Sequence, residues 1–152
     1  MRKILKPTKL YYRLNITQMK NNSLINIPIN SNNNNLIIKS IKSKHMGASS
    51  VSYRIDYGNK SIVYSGDTEY CNEIIEISKN ADLLILECSF PYNTDDHLDP
   101  SLCGKVATKA NAKKLVLTHF YPECDKADVK KQCSKEFDGE IVVAKDFMRI
   151  KV

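Results

Sequence analysis

The sequence predicts an α/β layered fold, on three observations. From residue 50 onward, short apolar runs alternate with amphipathic stretches. The run Asp82-Leu-Leu-Ile-Leu-Glu-Cys88 is continuously apolar and bounded by charge, as a buried strand would be. Each of the three histidines falls at or near the end of an expected element rather than inside it. In layered α/β proteins chemistry collects where strands end.

The elements follow in order. Lys9 to Ile16, Ser23 to Ile29 and Leu36 to Ser43 are rich in β-branched or aromatic residues and read as strands. The run from Asn30 to Asn35 is a polar connection with nothing to bury. Ser50 to Tyr57 alternates as a half-buried strand, Gly58-Asn59 turns the chain, and Ser61 to Ser65 returns before Gly66-Asp67-Thr68. A helix is expected over about Tyr70 to Lys79, then the buried strand, then a helix capped by Asp99 with Pro100 in its first turn and running to about Lys109. Lys114 to Thr118 reads as a strand, Lys126 to Phe137 as a helix, and Glu140 to Val143 as a strand, with a last strand closing the order β-β-α-β-α-β-α-β-β.

At 152 residues the chain has room for one domain with a core, divided into a basic β-rich segment 1–44 and a motif-bearing part 45–152. No apolar stretch approaches membrane-spanning length, and Lys6, Pro7 and Lys9 interrupt the apolar core that a signal peptide needs, so a cytoplasmic protein with no membrane partner is expected. Five cysteines without paired metal-knuckle spacing fit reduced thiols; Cys71, Cys103 and Cys133 fall on helix faces as small core residues. Cys124-Asp125, just past His119, either approaches a metal site or, more ordinarily, serves as a loop cap, and Asp146 either closes a site from the far end or is a surface carboxylate. The net charge of +6 is uneven: residues 1–55 carry ten Lys or Arg and no acid. Such a segment can attract RNA phosphates, although composition favours solvated lysines. Tyr11 and Tyr12 suit base stacking or an amphipathic edge strand equally.

His45 follows one strand, Asp67 ends another behind Gly66, His97 precedes the capped helix, and His119 follows a fourth element. Imidazole and carboxylate together suit zinc. Taken together, Ser65-Gly-Asp-Thr68 and Leu117-Thr-His-Phe120, with His45 22 residues before Asp67 and His97 22 residues before His119, resemble the second half of the metallo-β-lactamase fold. The likeness is to its ribonuclease Z-like branch and covers roughly residues 36–152, so the fold implied is half of a four-layer αββα sandwich. The resemblance implies a zinc-dependent phosphodiesterase. His45, Asp67 and His119 would be metal ligands, Asp67 bridging two zinc ions in the complete fold, and His97 would assist the leaving group, oriented by Glu87.

Two departures shape the expectation. The His-x-His-x-Asp-His loop of the fold's first half does not occur in this sequence, so a missing amino-terminal half or a homodimer partner is expected to complete the site. Thr118-His-Phe-Tyr-Pro122 differs from the Thr-His-Phe-Ser continuation common in ribonuclease Z, which leaves RNA as one candidate substrate beside a small cyclic phosphodiester or a thioester. A non-catalytic half-domain that binds RNA through its basic third is the alternative of a different class.

Overall fold

One sheet runs through the structure in chain order, β1-β2-β3-β4-β5-β6-β7. It is seen in a computed structural model of the chain, which describes residue 19, residues 22–29 and residues 35–152. The strands are β1 (Leu24–Pro28), β2 (Asn35–Ser43), β3 (Ser50–Tyr57), β4 (Lys60–Tyr64), β5 (Leu83–Glu87), β6 (Lys114–Thr118) and β7 (Glu140–Val143). Between them lie α1 (Asn72–Ile77), α2 (Pro100–Lys109), a 3-10 turn (Pro122–Lys126) and α3 (Val129–Cys133). The expected strand at Lys9 to Ile16 lies outside the described residues, as do Tyr11 and Tyr12.

The sheet changes character at β4. From β1 to β4 every pairing is antiparallel, with Ile38 opposite Ile55 and Ile55 opposite Ile62; from β4 to β7 every pairing is parallel. A parallel neighbour requires a crossover, and α1, α2 and α3 supply the three crossovers. Because β2 and β4 are both antiparallel to β3, the carboxyl ends of β2, β4, β5 and β6 share one edge of the sheet.

Alternation along each strand divides its side chains between two faces. Val63, Leu84, Leu86, Leu115, Leu117 and Ile141 form the core with Ile74, Cys103, Val106 and Phe137 from the helical side. On the opposite face Tyr53, Ile55, Tyr57 and Tyr64 are exposed large apolar side chains. This is a sheet with one helical layer, the arrangement of half a four-layer sandwich. Among the described residues no helix is long and apolar enough to cross a membrane.

Two of the three helices are shorter than their sequence patterns. α2 matches, because Asp99 accepts from the Leu102 amide at 2.8 Å and Pro100 opens the first turn. α1 begins only at Asn72, since Cys71 is extended, and ends before Asn80, which takes φ 53°. The expected helix from Lys126 to Phe137 is broken at its start: Ala127 is extended, and Asp128 caps a new helix by accepting from the Lys131 amide. Past β7 the expected last strand does not form among the described residues, where Lys145 and Met148 close a turn and Phe147 takes φ 62°. α2 and α3 meet at Gly104, where a Cβ would stand 2.7 Å from the Cys133 carbonyl oxygen, so any larger residue would push the helices apart.

Asp82 ties β4 to the start of β5. It accepts from the Ser61 amide at 2.8 Å, the Ser61 hydroxyl at 3.0 Å and Lys113 Nζ at 2.7 Å. The Lys113 ammonium, with help from Ser61, outweighs burial and holds the carboxyl well below its ordinary 3.8, at about 2. A carboxyl lowered on folding stabilises above its unfolded value, and that stability is lost as pH falls through about 2. Asp82→Asn is expected to cost about 1–2 kcal/mol at pH 7. Urea unfolding of both proteins should show the gap closing between pH 4 and pH 2, and a gap independent of pH would refute the assignment.

Candidate active site at the strand ends

Four of the five residues singled out in the sequence stand at or just beyond the carboxyl ends of β2, β4, β5 and β6, and the fifth, His97, lies in the loop leading into α2. His45 comes two residues after β2, Asp67 three after β4, Glu87 is the last residue of β5, and His119 directly follows β6. The fold therefore delivers groups far apart in sequence to one place. The His45 and His97 ring centroids are 4.9 Å apart and those of His97 and His119 6.2 Å. His119 Nε2 lies 3.4 Å from Asp67 Oδ1.

Two backbone features aim these groups. Gly66 takes φ 61°, and a Cβ there would meet the Val51 carbonyl oxygen at 3.0 Å, so the turn that presents Asp67 requires glycine. His119 itself takes φ 61°, a left-handed conformation that an L residue adopts at some cost, at the point where its ring leaves the strand. Beneath them runs a chain of serines. Ser43 Oγ pairs with Ser52 Oγ at 2.6 Å, Ser52 Oγ donates to the Ser65 carbonyl at 2.6 Å, and the Glu87 amide donates to Ser65 Oγ at 3.0 Å. Ser50 Oγ donates to the Asp67 carbonyl, fixing the turn from the neighbouring strand.

Glu87 is 1% exposed, and its carboxylate is met on both oxygens. Oε1 accepts from the Thr68 amide at 3.1 Å, the Leu98 amide at 3.3 Å and His97 Nδ1 at 2.9 Å. Oε2 accepts from the Ser89 amide at 3.2 Å and the Ser89 hydroxyl at 2.8 Å. Five donors replace the water that burial removes. The carboxylate acceptor places the His97 ring proton on Nδ1 and leaves Nε2 as the ring position free to act, 3.8 Å from Asp96 Oδ2. His45 is oriented separately, by Nδ1 against the Asp96 carbonyl at 2.9 Å.

Ser89 and Asp96 were not singled out in the sequence. A serine two residues past a strand-end glutamate carries no pattern of its own, and Asp96 acts on His45 through a backbone carbonyl that any residue has. Cys124 lies inside the 3-10 turn, where its thiol donates to the Ser89 carbonyl at 3.3 Å and burial pushes it up to about 11. Burial likewise raises Cys133 to about 12, so these thiols are packing groups. All five cysteines are free and buried, and Asp146 is exposed.

Zinc takes at least three protein ligands in the sites proteins build for it. Asp67 and His119 fit as two, since donors sharing a tetrahedral ion at 2.0–2.2 Å stand roughly 3.3–3.6 Å apart. Among the described residues, however, no group of three or more His, Cys, Asp or Glu side chains is placed to hold a metal ion. The described donors are thus an incomplete ligand set, and no chemical step is assigned to a metal on them.

A mixed sheet with one helical layer that gathers imidazoles and a carboxylate at its carboxyl edge is the arrangement of the metallo-β-lactamase fold. The chain belongs to the beta-lactamase superfamily domain family, whose profile matches residues 6–120. It is 35% identical over 96 residues to the probable metallo-hydrolase YhfI of Bacillus subtilis, covering 60% of this chain and 39% of that one. It is 34% identical over 101 residues to a ribonuclease Z of Archaeoglobus fulgidus, covering 61% and 33%. The crystal structure of YhfI superposes with a TM-score of 0.66 at 32% identity, over 72% of this chain and 47% of that one. The chain spans about a third of the length of the curated relatives it matches. Members of the family are hydrolases, and membership implies a metal ion.

Glu87→Gln keeps the shape but replaces one acceptor oxygen by a donor facing buried donors. It is expected to destabilise the fold by about 1–3 kcal/mol. Ser89→Ala should cost about 1 kcal/mol. Urea unfolding of the two variants checks the order, and an unchanged midpoint for Glu87→Gln would contradict the network.

Proposed function

We propose that the chain is part of a zinc-dependent phosphodiesterase of the ribonuclease Z kind, with RNA as the candidate substrate. The observation that carries this reading is the buried pair of Glu87 and His97, at 2.9 Å, beside the pair of Asp67 and His119, at 3.4 Å, on one sheet edge. His97, when protonated on both ring nitrogens with its Nδ1 proton held by Glu87, can donate the Nε2 proton to a departing oxygen, leaving the neutral Nδ1–H ring behind. Glu87 keeps the ring's tautomer and orientation through that exchange, so it is a positioning residue. The ribonuclease Z likeness at about a third sequence identity supports the phosphodiester as the bond cleaved.

Asp67, His119 and His45 are proposed as this chain's ligands for zinc, two ions in the complete site, with the remaining donors supplied from outside the described residues. Either an amino-terminal segment bearing the His-x-His-x-Asp-His loop or a partner chain would provide them. Bound zinc would polarise the phosphodiester and activate water. The exposed apolar face of β3 and β4, with Tyr53, Ile55 and Tyr64, is a surface on which such a segment can pack.

The test is to co-express the chain with a fragment carrying that loop, then measure zinc by elemental analysis and hydrolysis of bis(p-nitrophenyl) phosphate. Zinc content is expected to rise on complementation and to fall in His119→Ala and Asp67→Ala. His97→Ala should retain zinc and lose about 10²–10⁴-fold in turnover. Full turnover in His97→Ala, or zinc content indifferent to His119, would remove the reading.

A further inference from the structure

Next to the histidines stands an aromatic wall that the hydrolytic reading does not use. Phe90 stacks on Tyr121, with ring centroids 4.7 Å apart and planes at 20°, and on Tyr92, at 5.6 Å and 29°. Tyr92 is 54% exposed and Tyr121 42% exposed, so a cluster of three rings that would ordinarily be buried is left partly open to water. Tyr121 also lies 6.1 Å from the His97 ring and 5.9 Å from the His119 ring, which it meets edge-on at 82°. Phe90 itself is 5.9 Å from His97.

The wall is held by the same residue that holds the Glu87 carboxylate. Ser89 donates to Glu87, its carbonyl accepts from the Tyr121 amide at 3.0 Å and from the Cys124 thiol at 3.3 Å, and Phe90 is the next residue along. Tyr121 in turn follows His119 by two residues, and its carbonyl accepts from the Cys124 amide. Platform and imidazoles are therefore set by one short stretch of backbone on each side, and their spacing is fixed. Pre-positioned rings cost a ligand little ordering on binding.

We infer that Phe90, Tyr92 and Tyr121 form a stacking platform for a nucleobase, which places the phosphate attached to that base against His97 and His119. The inference rests on the phosphodiester reading and narrows it to substrates that carry a base. Stacking is tolerant of base identity, because every base has a π-face, so the platform selects nucleotides from other phosphate esters without selecting sequence. A mononucleotide unit and a nucleic-acid strand share this chemistry.

Calorimetric titration of the full chain with adenosine 5′-monophosphate, ribose 5-phosphate and hexa-adenylate tests it. Adenosine 5′-monophosphate is expected to bind about tenfold or more tightly than ribose 5-phosphate, which lacks the base. Tyr121→Leu should abolish that preference and Tyr121→Phe, which keeps the ring, should preserve it. Much tighter binding of hexa-adenylate assigns the platform to a strand, and equal affinity assigns it to a single nucleotide. Equal binding of the base-bearing and base-free monophosphates, binding of neither, or a preference that survives Tyr121→Leu would overturn the inference. Base preference in a complemented, zinc-loaded protein that cleaves no phosphodiester would keep the platform and remove the hydrolytic reading, whereas cleavage without base preference would remove the platform alone.

Discussion

The arrangement of this molecule turns on a buried carboxylate. Glu87 sits at the end of β5 with 1% exposure, where an unpaired charge would cost several kcal/mol. It is tolerated because donors converge on it from the turn after β4, through Thr68, from its own strand end, through Ser89, and from the entry to α2, through His97 and Leu98. Three separate stretches of chain are thereby fixed to one another around a single side chain. The same contacts that hold the fold at this point aim the His97 ring, so stability and the orientation of the candidate proton donor have one origin.

The sheet explains why such a hub can exist. A parallel half with helical crossovers brings the ends of β4, β5 and β6 to a common edge, and the antiparallel half returns β2 to that edge with His45. Serines at Ser43, Ser52 and Ser65 connect these strands by hydrogen bonds just beneath the site, where apolar packing would leave backbone groups unmatched. The face away from the helices remains apolar and exposed along β3 and β4. Beside it, Asp67 and His119 stand as a two-donor set among the described residues.

Much of this was legible in the sequence, for identifiable reasons. The continuous run Leu83 to Leu86, the alternation of Ser50 to Tyr57 and the Asp99-Pro100 cap are local signals, and each became the expected element at nearly the expected place. Gly66 before Asp67 announced a tight turn that the close approach of Val51 makes obligatory. The boundaries of α1 and α3 were not legible, because the residues found extended there, Cys71 and Ala127, are neither glycine nor proline and carry no breaker signal in the sequence. Ser89 and the ring stack of Phe90, Tyr92 and Tyr121 were invisible for a related reason: they acquire meaning only when β5 and β6 lie side by side.

The central claim is that the Glu87 carboxylate fixes the His97 imidazole with its proton on Nδ1 and Nε2 open. Long-range ¹H–¹⁵N correlation spectra of the histidine rings measure this directly. The account predicts an Nδ1-protonated His97 in the native chain and an averaged tautomer in Glu87→Ala. A neutral His97 ring protonated on Nε2 alone, or one already averaging between tautomers in the native chain, would contradict it.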